Sequence, residues 1–291
     1  MVLAAGLGTR LRPLTLERPK PGIPYDMRPL ACVALDSLAE LGIREVVLNT
    51  HHLGEMLPPL LDRHHPGMRL RYVHEPSLLG TGGGIRNARE WLDGSEPILI
   101  LNSDIVFSPD LRGALELHRS LDAMATMVLR PDPDAARFGA IDIDGDGRVR
   151  RLLGEPHRSG DFRTFMFTGV HVLSPRALDD LPEEGCIVRH AYRRWVDDDA
   201  TVVAGFVDES SWQDLGTLER YLEAHVELTK VASRIHESAT IQPDATLAAC
   251  VVGEGARVGP HRLERCVIWP DAVVEEDLRD AIVTPRTIVR L

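Results

Sequence analysis

Leu3 to Pro21 reads LAAGLGTRLRPLTLERPKP, and no other stretch of the chain narrows the possible folds as much. A short apolar strand runs into Gly6 and Gly8, followed by Thr9, Arg10 and Arg12, and Lys20 stands between two prolines. On glycine spacing alone this could be a strand-to-helix turn that needs Gly for backbone reasons. Glycine at such a turn lets backbone N–H groups approach an anion with no Cβ in the way. Arg10 adds a planar fork of donors and Lys20 a compact point charge, which makes the string a candidate phosphate cradle. The chain holds 33 Lys and Arg together, of which only Lys20 and Lys230 are lysines, so position 20 departs from its own habit. Neither GxGxxG nor the Walker pattern is present.

A length of 291 residues accommodates one large domain or two, with ample chain for a packed core. The net charge of −11 argues against a nucleic-acid partner, because phosphate backbones are bound by concentrated Lys and Arg. Phosphorylated small molecules need only local positive charge. No apolar run approaches the roughly 18 residues of a membrane span, and no signal peptide is visible. The expectation is therefore a cytoplasmic protein with no membrane partner. Cys32, Cys186, Cys250 and Cys266 lack CxxC spacing, which fits a reducing compartment and gives no zinc site. His51-His52 and His64-His65 read as surface or loop pairs, since adjacent side chains diverge. The motif begins almost at Met1, so a native N-terminus a few residues longer is expected.

Strand and helix patterns alternate over about the first hundred residues. Leu30 to Leu41, Leu53 to Arg63 and Thr81 to Trp91 read as helices; REVVLNT, MRLRYVHE and PILILNSD read as strands. This alternation predicts a parallel sheet flanked by helices. The cradle, the triple glycine Gly82-Gly83-Gly84 and Asn102-Ser103-Asp104 all fall at strand carboxyl ends. From Met124 onwards strands dominate. AIDIDGDGRVRRL is expected to be a hairpin, because a calcium loop would need Glu where Leu153 stands. Leu218 to Val231 reads as a connecting helix. In the last 60 or so residues the period becomes six, through Ile235, Ile241 and Leu247, Val252 and Val258, and Ile268 and Val274. Such a period marks a left-handed parallel β-helix of about three coils, with each apolar residue facing the interior. The expected organisation is a domain over 1–229 and a β-helix over 230–291.

The string from Leu3, with its Lys-Pro pair, closely resembles the signature of the sugar-1-phosphate nucleotidyltransferases, LAAGxGTRLxPLT. The resemblance implies a Rossmann-like nucleotidyltransferase domain of the GT-A type, extended here by the β-helix tail. It implies that Ala5, Gly6, Gly8 and Thr9 cradle the nucleotide and that Arg10 and Lys20 bind nucleotide and pyrophosphate oxygens. HEPSLLGTGGGI resembles the family's base-binding segment, E-x-x-x-LGTGGG, which assigns Gly80, Thr81 and Gly82 to the base. Read alone, Asp104 is either an ordinary strand-end residue or a ligand for Mg²⁺, which prefers carboxylates, phosphates and water. The family's pattern pairs it with Asp214 of SSWQDLGTLERY as the metal site. Gly139, Glu155 and Thr168 fall where the family contacts the sugar. Gly-Glu-Pro replaces the usual Glu-Lys-Pro, and FTGVHVL replaces the common NAG string.

The implied reaction joins a nucleoside triphosphate to a sugar-1-phosphate and releases pyrophosphate. A phosphate monoester is largely dianionic near neutral pH, with a second pKa of about 6, so no Ser-His-Asp apparatus is needed. LNSD and the tail resemble the mannose-1-phosphate guanylyltransferases, and that is the expected activity. TGGGI and FTGVHVL resemble uridylyltransferases acting on N-acetylmuramate-1-phosphate, the alternative together with glucose-1-phosphate. A non-catalytic regulatory paralogue would be expected to lack Lys20 or one of the two aspartates, and all three are present. An acyltransferase tail would need more coils and a catalytic His, for which only His261 is available. The expected role of the tail is homo-oligomerisation.

Overall fold

The computed structural model describes residues 1–291 except 95–96, 134, 136–138 and 231. The chain folds as two compact units, one of Met1–Gly6, Val33–Gly54 and His65–Trp212, the other of Leu7–Cys32, Glu55–His64 and Gln213–Leu291.

The first unit is built on a nine-stranded sheet. Its strands are β1 (Val2–Leu3), β2 (Glu45–Thr50), β3 (Arg69–His74), β4 (Ile98–Asn102), β5 (Ala125–Arg130), β6 (Ala140–Ile143), β7 (Val149–Leu152), β8 (Arg163–Leu173) and β9 (Val203–Val207). The order β7-β6-β8-β4-β1-β2-β3 places β1 between β4 and β2, with β5 beside β8 and β9 beside β5. The pairs β4–β1, β1–β2 and β2–β3 are parallel, as the early alternation predicts. Beyond the first hundred residues the directions vary, with β9 parallel to β5. β8 runs antiparallel to β4, β5 and β6, so the sheet is mixed. The run that forms β8 is apolar on both sides of its chain, and direction leaves no mark on such a run.

β8 carries a register shift between Phe167 and His171. Gly169 sits in that irregularity with φ +86°, where a Cβ would lie 2.5 Å from Asn102 Nδ2. The glycine lets the bulged strand press against the end of β4. Ile85, Ile100, Met127, Leu129, Phe165, Tyr192 and Trp195 are among the residues that pack the core of this unit. The β6–β7 hairpin forms as expected, with Asp144 Oδ1 accepting the backbone N–H groups of Asp146 and Arg148 at 3.0 Å each.

In the second unit the tail winds as coils of parallel strands. Arg234 pairs with Val251, Val251 with Val267 and Val267 with Ile282, so the coils advance by 17, 16 and 15 residues. A second face runs Thr240–Arg257–Val273 and a third Leu247–Leu263–Leu278. Ala249, Arg265 and Asp280 take φ values of +53°, +54° and +47° at one corner of successive coils. At Arg265 this corner falls between Val258 and Ile268, where the six-residue spacing is interrupted. Val252, Val258, Ile268 and Val274 are buried as expected. Ile235 is 45% exposed, against expectation, because the first coil has a neighbouring coil on one side only. The strand Ile288–Arg290 turns back antiparallel on the last coil.

The arm Leu7–Cys32 packs with this tail. Tyr221, on the helix Leu218–Leu228, donates its hydroxyl to Pro24 O at 2.6 Å and accepts Trp269 Nε1–H at 3.0 Å. Arg18 lies over the Trp269 ring at 5.4 Å, Arg234 bonds Asp26 at 2.7 Å, and Thr284 donates to Glu17 at 2.5 Å.

Candidate active site

The parallel strands end together, and their ends carry the polar residues. Leu3 pairs with Asn49 of β2 on one side and Asn102 of β4 on the other. The Ser103 N–H and hydroxyl both donate to Leu3 O, at 3.2 and 2.6 Å, which ties the segment bearing Asp104 to the end of β1. Asp104 itself is half-buried. Ala5 is buried, and Gly6 faces open space, where a Cβ would meet nothing within 4 Å.

Gly80, Thr81 and Gly82 begin the helix Gly80–Asn87. The Gly82 N–H donates to Gly185 O at 2.8 Å, the Gly185 N–H to Leu79 O at 2.7 Å, and the Ile187 N–H to the Thr81 hydroxyl at 2.9 Å. A Cβ on Gly80, which has φ +71°, would stand 2.7 Å from Gly185 O. The glycines thus serve close backbone packing as well as any ligand. Beneath them, the Ala4 N–H donates to Asn49 Oδ1, Asn49 Nδ2–H donates to Glu75 Oε1, and the Leu79 N–H donates to Glu75 Oε2. Sequence reasoning assigned nothing to Asn49 or Glu75, although Glu75 opens the E-x-x-x-LGTGGG string.

Of the residues expected at the sugar, Gly139 (φ +101°) would bring a Cβ to 2.6 Å from Leu153 Cδ2. The Leu153 N–H donates to Ala140 O, and the Leu152 N–H to Glu155 O, so the hairpin gathers Gly139 and Glu155. The Glu155 carboxylate pairs with Arg193. Thr168 is fully buried and donates its hydroxyl to Val128 O at 2.7 Å, so that side chain is committed within the sheet.

The second unit brings together Gly8, Lys20, Arg10 and Asp214. Gly8 has φ +60°; a Cβ there would lie 2.7 Å from Thr15 Cγ2 and 3.1 Å from Lys20 Cβ. The Thr15 hydroxyl donates to Gly8 O at 2.9 Å and the Leu11 N–H to the same oxygen at 2.9 Å, closing the turn at Thr9–Leu11. Lys20 is 8% exposed. Asp214 Oδ2 accepts from Arg220 Nη1 at 2.5 Å. The space beside Gly216 holds the other oxygen: a Cβ on Gly216 would be 2.6 Å from Asp214 Oδ1 and 2.7 Å from Arg10 Nη2. Carboxylate and guanidinium therefore both border one notch that only a glycine leaves open. The notch was missed in the sequence, although Gly216 stands inside the Q-D-L-G-T string that singled out Asp214.

Among the described residues no three or more His, Cys, Asp or Glu side chains gather as a metal cluster. A magnesium ion bound by one carboxylate, phosphate and water needs no such cluster, and Asp104 of the first unit and Asp214 of the second are each a hard oxygen donor of that kind.

The family model for nucleotidyl transferases matches residues 1–231. The chain belongs to this family. A mannose-1-phosphate guanylyltransferase from Mycobacterium tuberculosis is 32% identical over 293 residues, covering 94% of this chain and 80% of the relative. A probable mannose-1-phosphate guanylyltransferase from Oryza sativa is 28% identical over 95% of this chain and 82% of its own length. A UTP–glucose-1-phosphate uridylyltransferase from Synechocystis is 27% identical, covering 77% and 61%. The crystal structure of HddC from Yersinia pseudotuberculosis superposes with a TM-score of 0.63 at 24% identity, covering 78% of this chain and 98% of that one. The protein is an enzyme, a sugar-1-phosphate nucleotidyltransferase, and its substrates are a nucleoside triphosphate and a sugar-1-phosphate. No helix among the described residues is long and apolar enough to cross a membrane.

Proposed function

We propose that the enzyme transfers a guanylyl group from GTP to mannose-1-phosphate and releases pyrophosphate. The near full-length similarity to guanylyltransferases in two organisms supports the choice of base and sugar. The observation that carries the site is the Gly216 notch, which Arg10 and Asp214 both border on the unit that also holds Lys20.

A phosphate oxygen of the sugar-1-phosphate attacks the α-phosphorus; a new P–O bond forms there and the bond to the β-phosphoryl oxygen breaks. The nucleophile is already anionic, so the protein's part is alignment and charge neutralisation. Backbone groups of the Ala5, Gly6, Gly8 and Thr9 segment hold the triphosphate. Arg10 and Lys20 neutralise the oxygens on which charge accumulates as pyrophosphate leaves. Gly80, Thr81 and Gly82 contact the base, and Gly139 and Glu155 belong to the sugar side, while the Thr168 side chain, bonded to Val128 O, takes no part. Asp104 and Asp214 would hold Mg²⁺, which when bound neutralises phosphate charge and orients the reacting groups. The tail is a left-handed β-helix that makes the protein a homo-oligomer, a reading supported by the uncovered Ile235 on its first coil and tested by light scattering. The enzyme works in the cytoplasm.

The test is pyrophosphate release with Mg²⁺, crossing four nucleoside triphosphates with mannose-, glucose- and N-acetylmuramate-1-phosphate. Activity confined to GTP with mannose-1-phosphate is expected, and dependence on UTP would overturn the choice of subfamily. Lys20→Ala should lower the rate by roughly 10²–10³, the usual loss for one preorganised charge contact. A loss below about tenfold would remove Lys20 from its role.

A further inference from the structure

We propose that the buried pair Asn49 and Glu75 is a positioning element that sets the Ala4–Gly6 turn and the Leu79–Gly82 turn as one unit. It holds the two nucleotide-contacting segments in register before substrate arrives. The inference rests on the assignment of those two turns to the nucleotide.

The pair is a chain of hydrogen bonds with a fixed direction. The Ala4 N–H donates to Asn49 Oδ1 at 2.9 Å, Asn49 Nδ2–H to Glu75 Oε1 at 2.7 Å, and the Leu79 N–H to Glu75 Oε2 at 3.1 Å. The ends of this chain are backbone donors and cannot reverse. Position 49 must therefore accept on one side and donate on the other, and position 75 must accept on both. An ionised Glu meets the second demand without a proton, because it carries acceptors only.

Both side chains are nearly inaccessible, Asn49 at 3% and Glu75 at 1% exposure. They are also anchored by backbone. Asn49 lies on β2 between Leu3 of β1 and Val73 of β3, and the Glu75 N–H donates to Thr50 O at 2.8 Å. The helix Gly80–Asn87 closes over them at Gly84, where a Cβ would lie 2.6 Å from Glu75 Oε1 and 2.7 Å from Asn49 Nδ2. Apolar residues of similar volume would fill this space without the desolvation of a carboxylate. A directional chain does what apolar packing cannot, because it fixes the position of two particular backbone N–H groups at once. Neither residue touches substrate in this scheme; both are positioning residues.

The direction of the chain supplies the experiment. In Glu75→Gln, one amide N–H faces a donor whichever way the side chain turns. In Asn49→Asp, two carboxylates face each other. The double variant Asn49→Asp/Glu75→Gln restores every pairing with the polarity of the middle bond reversed. The carboxylate then at position 49 accepts from the Ala4 N–H and from the amide at position 75, whose oxygen accepts from the Leu79 N–H. Each single change should raise the nucleotide KM about tenfold or more and leave the sugar-phosphate KM within about twofold; the double should return to within about threefold of the parent. Amide hydrogen exchange should quicken over both 4–6 and 79–84 in each single variant and slow again in the double. A double variant no better than the worse single, or exchange altered on only one side of the pair, overturns the inference. If a single variant does not fold while the double does, that rescue supports it. If neither folds, Gly84→Ala decides: its Cβ presses on the pair, so an unchanged nucleotide KM overturns the inference. Absence of pyrophosphate release from the parent on every substrate pair would remove the functional reading, and the exchange pattern would still decide the coupling.

Discussion

Gly216→Ala tests the notch between Arg10 and Asp214 by adding one methyl group. The new Cβ would sit 2.6 Å from Asp214 Oδ1 and 2.7 Å from Arg10 Nη2, whereas ordinary contacts begin near 3.4 Å. Each group must therefore retreat by about 0.7–0.8 Å, or the backbone must shift by a comparable amount, since close-packed atoms have no slack. Asp214 is the less free of the two, with its carboxylate 16% exposed and bound to Arg220 at 2.5 Å. Arg10 is exposed and can swing, so folding should suffer little, by about 1 kcal/mol, the low end for overpacking. Catalysis is the more sensitive quantity. A displacement near 1 Å of an aligned group can lower the rate about 10²-fold, which is about 2.7 kcal/mol of transition-state stabilisation. The expected result is a fall of about 10² in kcat/KM for pyrophosphate release, with the unfolding midpoint nearly unchanged. Gly67→Ala, where a Cβ meets nothing within 4 Å, is the control and should be silent. If Arg10 is what moves, Arg10→Ala and Gly216→Ala should be far from additive. A folded Gly216→Ala enzyme within about threefold of the parent would refute the claim that these two groups act together.

Tyr221→Phe keeps the ring but leaves the Pro24 carbonyl and the Trp269 Nε1–H without their buried partner. At about 1–3 kcal/mol for each orphaned group, the loss should be about 2–6 kcal/mol in urea unfolding, and an unchanged midpoint would show that the arm is held by other contacts. Burial pushes the imidazoles of His118 and His225 down to about 4 and that of His171 to about 3. Their unfolded pKa is about 6.5, so below that pH the unfolded chain binds more protons. Stability from these groups is complete above pH 6.5 and should fall on acidification towards pH 4, by about 1 kcal/mol per histidine per pH unit near pH 5. Urea midpoints that do not move between pH 7 and pH 5 would show that these rings are not buried as neutral groups.

The features legible in the amino-acid order are those whose physics is local. An apolar strand ending in glycine, helices with one apolar face and an Asp-Gly turn each carry their own period or backbone requirement, so β1 to β4 and the β6–β7 hairpin could be read directly. So could the existence of a coil, because a three-sided turn repeats its inward residues every six positions. Arg10 and Lys20 stood out as cations in a glycine-rich string, whereas Asp104 and Asp214 were singled out by the resemblance of their strings to the family's pattern.

Which strings meet is settled only once the chain is folded. The antiparallel course of β8 depends on which neighbour offers its edge, and an apolar run contains no record of that. The notch at Gly216 brings Arg10 and Asp214, far apart in the chain, to one place, and its sign is the absence of a side chain. Asn49 and Glu75 look like an ordinary strand end and an ordinary loop acid until Ala4, Leu79 and Gly84 close around them. The arm that bears Lys20 owes its place to Tyr221 and Trp269 of the C-terminal part of the chain, held through two hydrogen bonds. Periodicity and turn chemistry act between neighbours in the chain, whereas hydrogen bonds and excluded volume act between neighbours in space.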